Sequence, residues 1–165
     1  MNRYIRQQIL PEVGVAGQAR LHAAHIVVVG VGGLGCPALQ CLVGAGIGKI
    51  TIVDPDVVSL SNLHRQTIFG ENQIGQSKVI AAAAVLSVLN SECTIIAIDV
   101  ALSPINAETL IAKADVVLDC ADSFAASYIL SDACLTQKKP LISASALGFE
   151  GYVGGFCGGA PSLRA

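Results

Sequence analysis

The segment Ile26-Val27-Val28-Val29-Gly30-Val31-Gly32-Gly33-Leu34-Gly35 constrains the fold more than any other part of the chain. A β-branched apolar run belongs in a buried strand, and here it leads straight into G-x-G-x-x-G and then an apolar helical stretch. In that setting Gly30 permits the tight turn, Gly32 lets the backbone approach phosphate oxygens and Gly35 allows the helix to pack closely on the strand, while the helix N-terminus offers free N–H groups to an anion. A second run, Lys49-Ile50-Thr51-Ile52-Val53-Asp54, ends in a carboxylate about 20 residues beyond the fingerprint, where ribose hydroxyls can donate to it. Glycine-rich turns also arise where close packing is the only requirement. The preceding strand, the following helix and the acidic strand end at that distance favour a nucleotide site over a purely structural turn.

Beyond this segment, strand candidates at 25–30, 48–53, 93–99, 115–120 and 140–144 alternate with helical patterns. Several of these runs are apolar throughout, which requires burial on both faces and therefore helices on both sides of a mostly parallel sheet. The expected fold class is α/β and Rossmann-like. Ser103-Pro104 reads as the N-cap and first position of a helix near 104–113, and Ser123 as the cap of another near 124–137. The helix carrying Lys78 continues from Ala81 to Leu89. Residues 1–24 read as an N-terminal arm with a helical stretch around Gly17–Leu21, and residues 25–165 as the nucleotide-binding domain. The glycine-rich tail from Gly148 to Gly159, with its alternating bulky residues, suggests a bent strand or loop.

Composition narrows the function classes. With 165 residues, 53% hydrophobic and 13% charged, the chain has ample material for one buried core, which excludes disorder. A formal charge of −2 and the lack of a basic run leave no electrostatic footprint for nucleic acid. The apolar runs are short and glycine-interrupted, and Met1-Asn2-Arg3-Tyr4 lacks the apolar core of a signal peptide, so neither a membrane span nor secretion is expected and a cytoplasmic location is the default. Six cysteines, Cys36, Cys41, Cys93, Cys120, Cys134 and Cys157, fall inside apolar patterns without C-x-x-C spacing. Most of them are expected to be small core residues rather than disulfide or zinc partners.

The chemistry-bearing residues follow the second and fourth strands. Asp54-Pro55-Asp56-Val57-Val58-Ser59-Leu60-Ser61-Asn62-Leu63-His64-Arg65-Gln66 is followed by Gly75-Gln76-Ser77-Lys78. Cations just past a ribose-binding strand reach nucleotide phosphates, and a triphosphate needs such neutralisation when its α-phosphorus is attacked. Arg65 and Lys78 are the candidates, against the alternative of two solvated surface cations. Asp122, in Asp119-Cys120-Ala121-Asp122-Ser123, lies where ligands sit in open α/β sheets. It either faces the phosphates and holds Mg²⁺ through its oxygens or simply starts a helix alongside Ser123.

Over essentially its whole length the sequence resembles the ThiF/MoeB family, bacterial relatives of ubiquitin-activating enzymes. The family's opening R-Y-x-R-Q is matched by Arg3-Tyr4-Ile5-Arg6-Gln7, its glycine loop by Gly30 to Gly35, and D-x-D-x-V-x-x-S-N-L-x-R-Q by Asp54 to Gln66. G-x-x-K is matched by Gly75 to Lys78, and D-C-x-D-N by Asp119 to Ser123, with serine in the last place. The resemblance implies an ATP-dependent adenylyltransferase that activates the C-terminal glycine carboxylate of a ubiquitin-like sulfur-carrier protein ending in Gly-Gly, of the thiamine or molybdopterin type, and releases pyrophosphate. It implies ATP held by Gly30, Gly32, Gly33, Gly35, Asp54, Asn62, Arg65, Gln66 and Lys78, Mg²⁺ at Asp122, and catalysis by Arg65, Lys78, Asp122 and Arg6. Arg6 would be supplied to the neighbouring subunit's ATP, so a homodimer is implied.

Two departures from the family pattern stand out. The stretch where the family carries the first C-x-x-C of a zinc site reads Ser162-Leu163-Arg164-Ala165, so zinc is not supported by the residues present. The family is also longer, and its remaining C-terminal portion, with a loop cysteine whose place Cys157 does not match, is expected to be absent here. Two other readings compete. An NAD-dependent oxidoreductase would use the glycine fingerprint and Asp54 equally well, but has no obvious need of Arg65, Lys78 and Arg6. A non-catalytic relative would bind nucleotide or a partner without completing the chemistry.

Overall fold

A computed structural model describes residues 2–165. Its centre is a six-stranded sheet in the order β3-β2-β1-β4-β5-β6, formed by His25–Val29 (β1), Lys49–Val53 (β2), Thr94–Ile98 (β3), Val116–Asp119 (β4), Pro140–Leu147 (β5) and Glu150–Cys157 (β6). The first five strands run parallel and β6 returns antiparallel to β5 as a hairpin. Helices Gly35–Ala45 (α3), Lys78–Leu89 (α4), Ala107–Ile111 (α5) and Phe124–Thr136 (α6) supply the crossovers, preceded by two N-terminal helices, Ile5–Gln8 (α1) and Gly14–Ala23 (α2). The α/β, Rossmann-like architecture expected from the sequence is the one observed.

The strand pleat explains why β1 is apolar without interruption. Ile26 and Val28 pack into one core with Leu39 and Val43 of α3 and Val79, Ala82 and Leu86 of α4. Val27 and Val29 face the opposite core with Ala107 and Ile111 of α5 and Leu130 and Cys134 of α6. Each such fully buried aliphatic side chain contributes about 1.5–3 kcal/mol relative to exposure, so both faces are needed to hold the central strand. The turn leaving β1 is equally constrained. Gly30 has φ +95°, and a Cβ there would lie 2.5 Å from the carbonyl oxygen of Cys120. At Gly35 a Cβ would collide with the carbonyl oxygen of Gly30, so the start of α3 sits directly on the end of β1.

Three elements differ from the sequence expectation. The helix expected at 104–113 begins only at Ala107 and ends at Ile111, because Asn106 competes for the backbone before it. The Asn106 side chain accepts from the Ser103 N–H at 2.8 Å and donates to the Ala101 carbonyl at 2.9 Å, tying that segment into a turn. Within the glycine-rich tail the strand alternative holds over Glu150–Cys157, which pairs in unbroken register with β5 and lengthens it to Leu147, and Cys157 ends the strand in the left-handed region at φ +57°. The helical stretch around 17–21 extends over the whole of α2. The cysteines follow the expectation for most of them: five are buried, and Cys41 is exposed on α3.

The N-terminal arm is fastened to the far end of the helices, away from the glycine loop. Gln7 and Gln18 both donate to the Ala45 carbonyl at 3.0 Å, and Asn90 donates to the Tyr4 hydroxyl at 2.8 Å, which donates in turn to Glu92 at 2.9 Å. Tyr4 therefore presses against Gly46, where a Cβ would stand 2.6 Å from its ring. No helix among the described residues is long and apolar enough to cross a membrane.

Candidate active site

The strand order reverses between β1 and β4, and crevices form at the carboxyl ends of strands at such switch points. A cleft of about 680 Å³ opens there. It is lined by the glycine loop, the turn after β2, Asn62, Arg65, Gln66 and Lys78, the turn after β4 and Ser145 and Ala146 of β5.

On the glycine side, Asp54 is almost fully buried, and both of its oxygens are engaged. The Val31 N–H donates to Oδ2 at 2.6 Å and the Asp56 N–H donates to Oδ1 at 2.8 Å. The residue read from sequence as a ribose acceptor thus also fastens the glycine loop to the end of β2, while each carboxylate oxygen keeps a further lone pair. Among the described residues no protein acceptor takes the N–H of Gly32, Gly33 or Leu34, and α3 starts without a side-chain cap. Free N–H groups at the positive end of a helix dipole form an anion site.

Lys78 heads α4 and is only 4% exposed. Its Nζ meets Asp56 Oδ2 at 2.8 Å, and its N–H donates to the Asp56 carbonyl at 2.9 Å. Asp56 stands in the D-x-D pair but is not among the residues the sequence points to, because the burial of Lys78 that calls for an anion beside it is set by tertiary packing. That carboxylate is well exposed, and the ammonium retains two further protons to donate.

Arg65 is exposed, with Nη2 donating to Asn62 Oδ1 at 3.1 Å. Its alkyl stem lies over Gly33, where a Cβ would be 3.3 Å from Cγ and Cδ, so the missing side chain makes room for the arginine. Beside it Gln66 is 2% exposed, and its Oε1 has no hydrogen-bond partner.

At the β4 end the two alternatives for Asp122 separate. Ser123 caps α6 by accepting from the Ala126 N–H at 3.2 Å, a role serine fills as well as the asparagine it replaces. Asp122 is left exposed and lining the cleft, without a hydrogen bond or ion pair among the described residues. Burial pushes the neighbouring Cys120 thiol up to about 12, helped by the Asp119 carboxylate. Cys120 therefore stays neutral at ordinary pH and offers no nucleophile. Arg6 is exposed on α1 and does not line the cleft of its own chain.

The residues present fit a magnesium nucleotide. Unpaired loop N–H groups, the orphaned Gln66 oxygen and two cations match a polyanion carrying donor groups. No three His, Cys, Asp or Glu side chains cluster as metal ligands among the described residues. Magnesium commonly takes only one or two carboxylates and completes its shell with phosphates and water, which matches a lone Asp122.

The ThiF family profile matches residues 4–165. The chain belongs to the ThiF family. Its relatives include the mouse "Adenylyltransferase and sulfurtransferase MOCS3", 52% identical over 151 residues that make up 92% of this chain and 33% of the mouse protein. The cattle protein of the same name is 49% identical over 165 residues, 99% of this chain and 36% of its own length. The chain thus spans about a third of the length of these curated relatives. Among solved structures, E. coli MccB crystallised with AMPCPP and MccA superposes with a TM-score of 0.83 at 29% identity, over 96% of this chain and 49% of that one. TcdA (CsdL) superposes with a TM-score of 0.77 at 30% identity, over 84% of this chain and 56% of its own.

Proposed function

We propose that this ThiF-family chain binds MgATP in the cleft and adenylates the C-terminal glycine carboxylate of a ubiquitin-like sulfur-carrier protein, of the molybdopterin or thiamine type, with release of pyrophosphate. The observation that carries the reading is the convergence of unpaired glycine-loop N–H groups, Arg65, Lys78 and an uncommitted Asp122 on one cleft. A hydride-transfer enzyme would use the same glycine loop but has no obvious need of Arg65 and Lys78. The names of the mouse and cattle relatives point the same way.

In this reaction a carboxylate oxygen bonds to the α-phosphorus as the bond from that phosphorus to the bridging oxygen of the β-phosphate breaks, and no proton need move. Like charges oppose the approach. Arg65 and Lys78 offset the negative charge that grows on the phosphoryl oxygens, and preorganised donors of this kind stabilise transition states because they need not reorient. Asp56 holds the Lys78 ammonium in place until phosphate oxygens share it. Asp54 fixes the glycine loop and accepts from the ribose, while Asn62 braces the Arg65 guanidinium. Asp122 would hold Mg²⁺, which neutralises the departing pyrophosphate when bound.

Arg6 acts in trans under this proposal. It is anchored at the end of the molecule remote from its own cleft, so its contribution goes to the neighbouring subunit of a homodimer. Replacing Arg65 with alanine tests the assignment. Arg65→Ala is expected to cut carrier-dependent ATP–pyrophosphate exchange on the order of 100-fold with the unfolding midpoint unchanged. An unchanged exchange rate overturns it.

A further inference from the structure

A hydrogen-bonded chain that runs behind the cleft connects the β5–β6 hairpin to the turn carrying Asp122. Asp119, at the end of β4, is 1% exposed, and Ser143 of β5 is fully buried. Ser143 donates to Asp119 Oδ2 at 2.8 Å, and its Oγ lies 3.1 Å from the Tyr152 hydroxyl of β6. Ser143 has one proton and gives it to the carboxylate, so Tyr152 must be the donor to Ser143. The other oxygen of Asp119 accepts from the Ala121 N–H at 3.2 Å. That N–H belongs to the peptide that packs against Gly30, where a Cβ would lie 2.9 Å from the Ala121 nitrogen. Asp122 is the next residue. Tyr152 in turn pairs across the strands with Ser145, which lines the cleft.

We infer that Asp119, Ser143 and Tyr152 are positioning residues for Asp122, setting the height of the turn after β4 against the glycine loop and tying it to the hairpin wall of the cleft. The inference rests on the magnesium role given to Asp122 above. The turn makes no side-chain hydrogen bond of its own at Asp122, so the Ala121 N–H is the point at which the buried chain can hold it. A carboxylate serving as a lone metal ligand depends on such outer supports, whose loss costs about 10–100-fold in metal affinity. The solvent end of the chain is Tyr152, 45% exposed, so changes in the hairpin reach Asp122 through three hydrogen bonds.

The test compares ATP affinity with and without Mg²⁺ in the 165-residue chain and four variants, by calorimetry. The readout is the ratio of the two affinities, which a general loosening of the fold leaves unchanged. Asp122→Asn is expected to abolish the gain from Mg²⁺. Ser143→Ala should cut the gain about tenfold and Tyr152→Phe, a milder change on a half-exposed ring, about threefold, with metal-free affinity retained. Ser143→Thr, which keeps the hydroxyl, should restore it. A wild-type ratio in both Ser143→Ala and Tyr152→Phe overturns the positioning role while leaving Asp122 as the metal ligand. Absence of a Mg²⁺ gain in the unaltered chain, or its persistence in Asp122→Asn, overturns the metal assignment and this inference with it.

Discussion

The turns after β2 and after β4 each place an aspartate in the same cleft, yet the two carboxylates live in opposite conditions. Asp54 is 6% exposed and accepts two backbone N–H bonds, whereas Asp122 is exposed and accepts none among the described residues. One carboxylate fastens the glycine loop to the end of β2; the other is left open, and in the proposed reaction it meets the ligand. The cations divide likewise: Lys78 is buried and paired, Arg65 exposed and lightly braced. Under the proposed function the cleft thus separates residues that hold its shape from residues that meet the charge, and substitutions should fall into two groups.

The largest effect is expected from Asp54→Ala. Losing two bonds to a buried carboxylate costs about 3 kcal/mol or more, and for a domain of this size that lowers Tm by about 6–12 °C. A scan within about 2 °C of the unaltered chain would erase the distinction between the two turns. Asp122→Asn is the mirror case. Stability should stay within about 0.5 kcal/mol because nothing in the fold depends on that carboxylate, while pyrophosphate exchange falls on the order of 100-fold.

The proposed trans role of Arg6 sharpens the contrast further. Arg6→Ala and Arg65→Ala chains, each strongly impaired alone, should recover about a quarter of wild-type exchange when mixed, because half of a statistical dimer population carries one intact composite site. No recovery would argue that each cleft works with its own chain alone. The smallest effect concerns His25, outside the cleft. Its ring bonds the Lys113 carbonyl and Thr51 hydroxyl, both at 2.9 Å, and burial holds its pKa below the ordinary 6.5. Below that value the unfolded chain binds a proton that the folded chain refuses, so stability falls with pH until the folded pKa is reached. Urea midpoints taken from about pH 7.5 to about pH 5 should show this decline in the unaltered chain and a shallower one in His25→Asn.

The parts of the molecule that sequence made legible are those where one local requirement decides. The run into Gly30 and Gly35 is read correctly because steric contact with Cys120 and with Gly30 itself leaves glycine as the only fit. Ser123 is legible as a cap for the same reason. Where a side chain chooses between partners, the sequence is silent. Asn106 turns the backbone before α5 by taking Ser103 and Ala101 as partners, in competition with the helix start that Ser103-Pro104 offers. The partnership of Asp56 with Lys78 joins positions far apart in the chain, and the Asp119–Ser143–Tyr152 chain crosses three strands. Arg6 stands in the opening motif beside Arg3, Tyr4 and Gln7, and those three anchor the arm while Arg6 makes no side-chain hydrogen bond among the described residues.

ATP–pyrophosphate exchange with Mg²⁺, with and without a small carrier ending in Gly-Gly and beside a parallel NAD binding control, tests the central claim most directly. Exchange should depend on both the carrier and the metal, with no competing NAD binding. ATP binding without exchange would contradict the proposed chemistry and leave a nucleotide-binding relative, and NAD binding without ATP binding would contradict the assignment of the cleft itself.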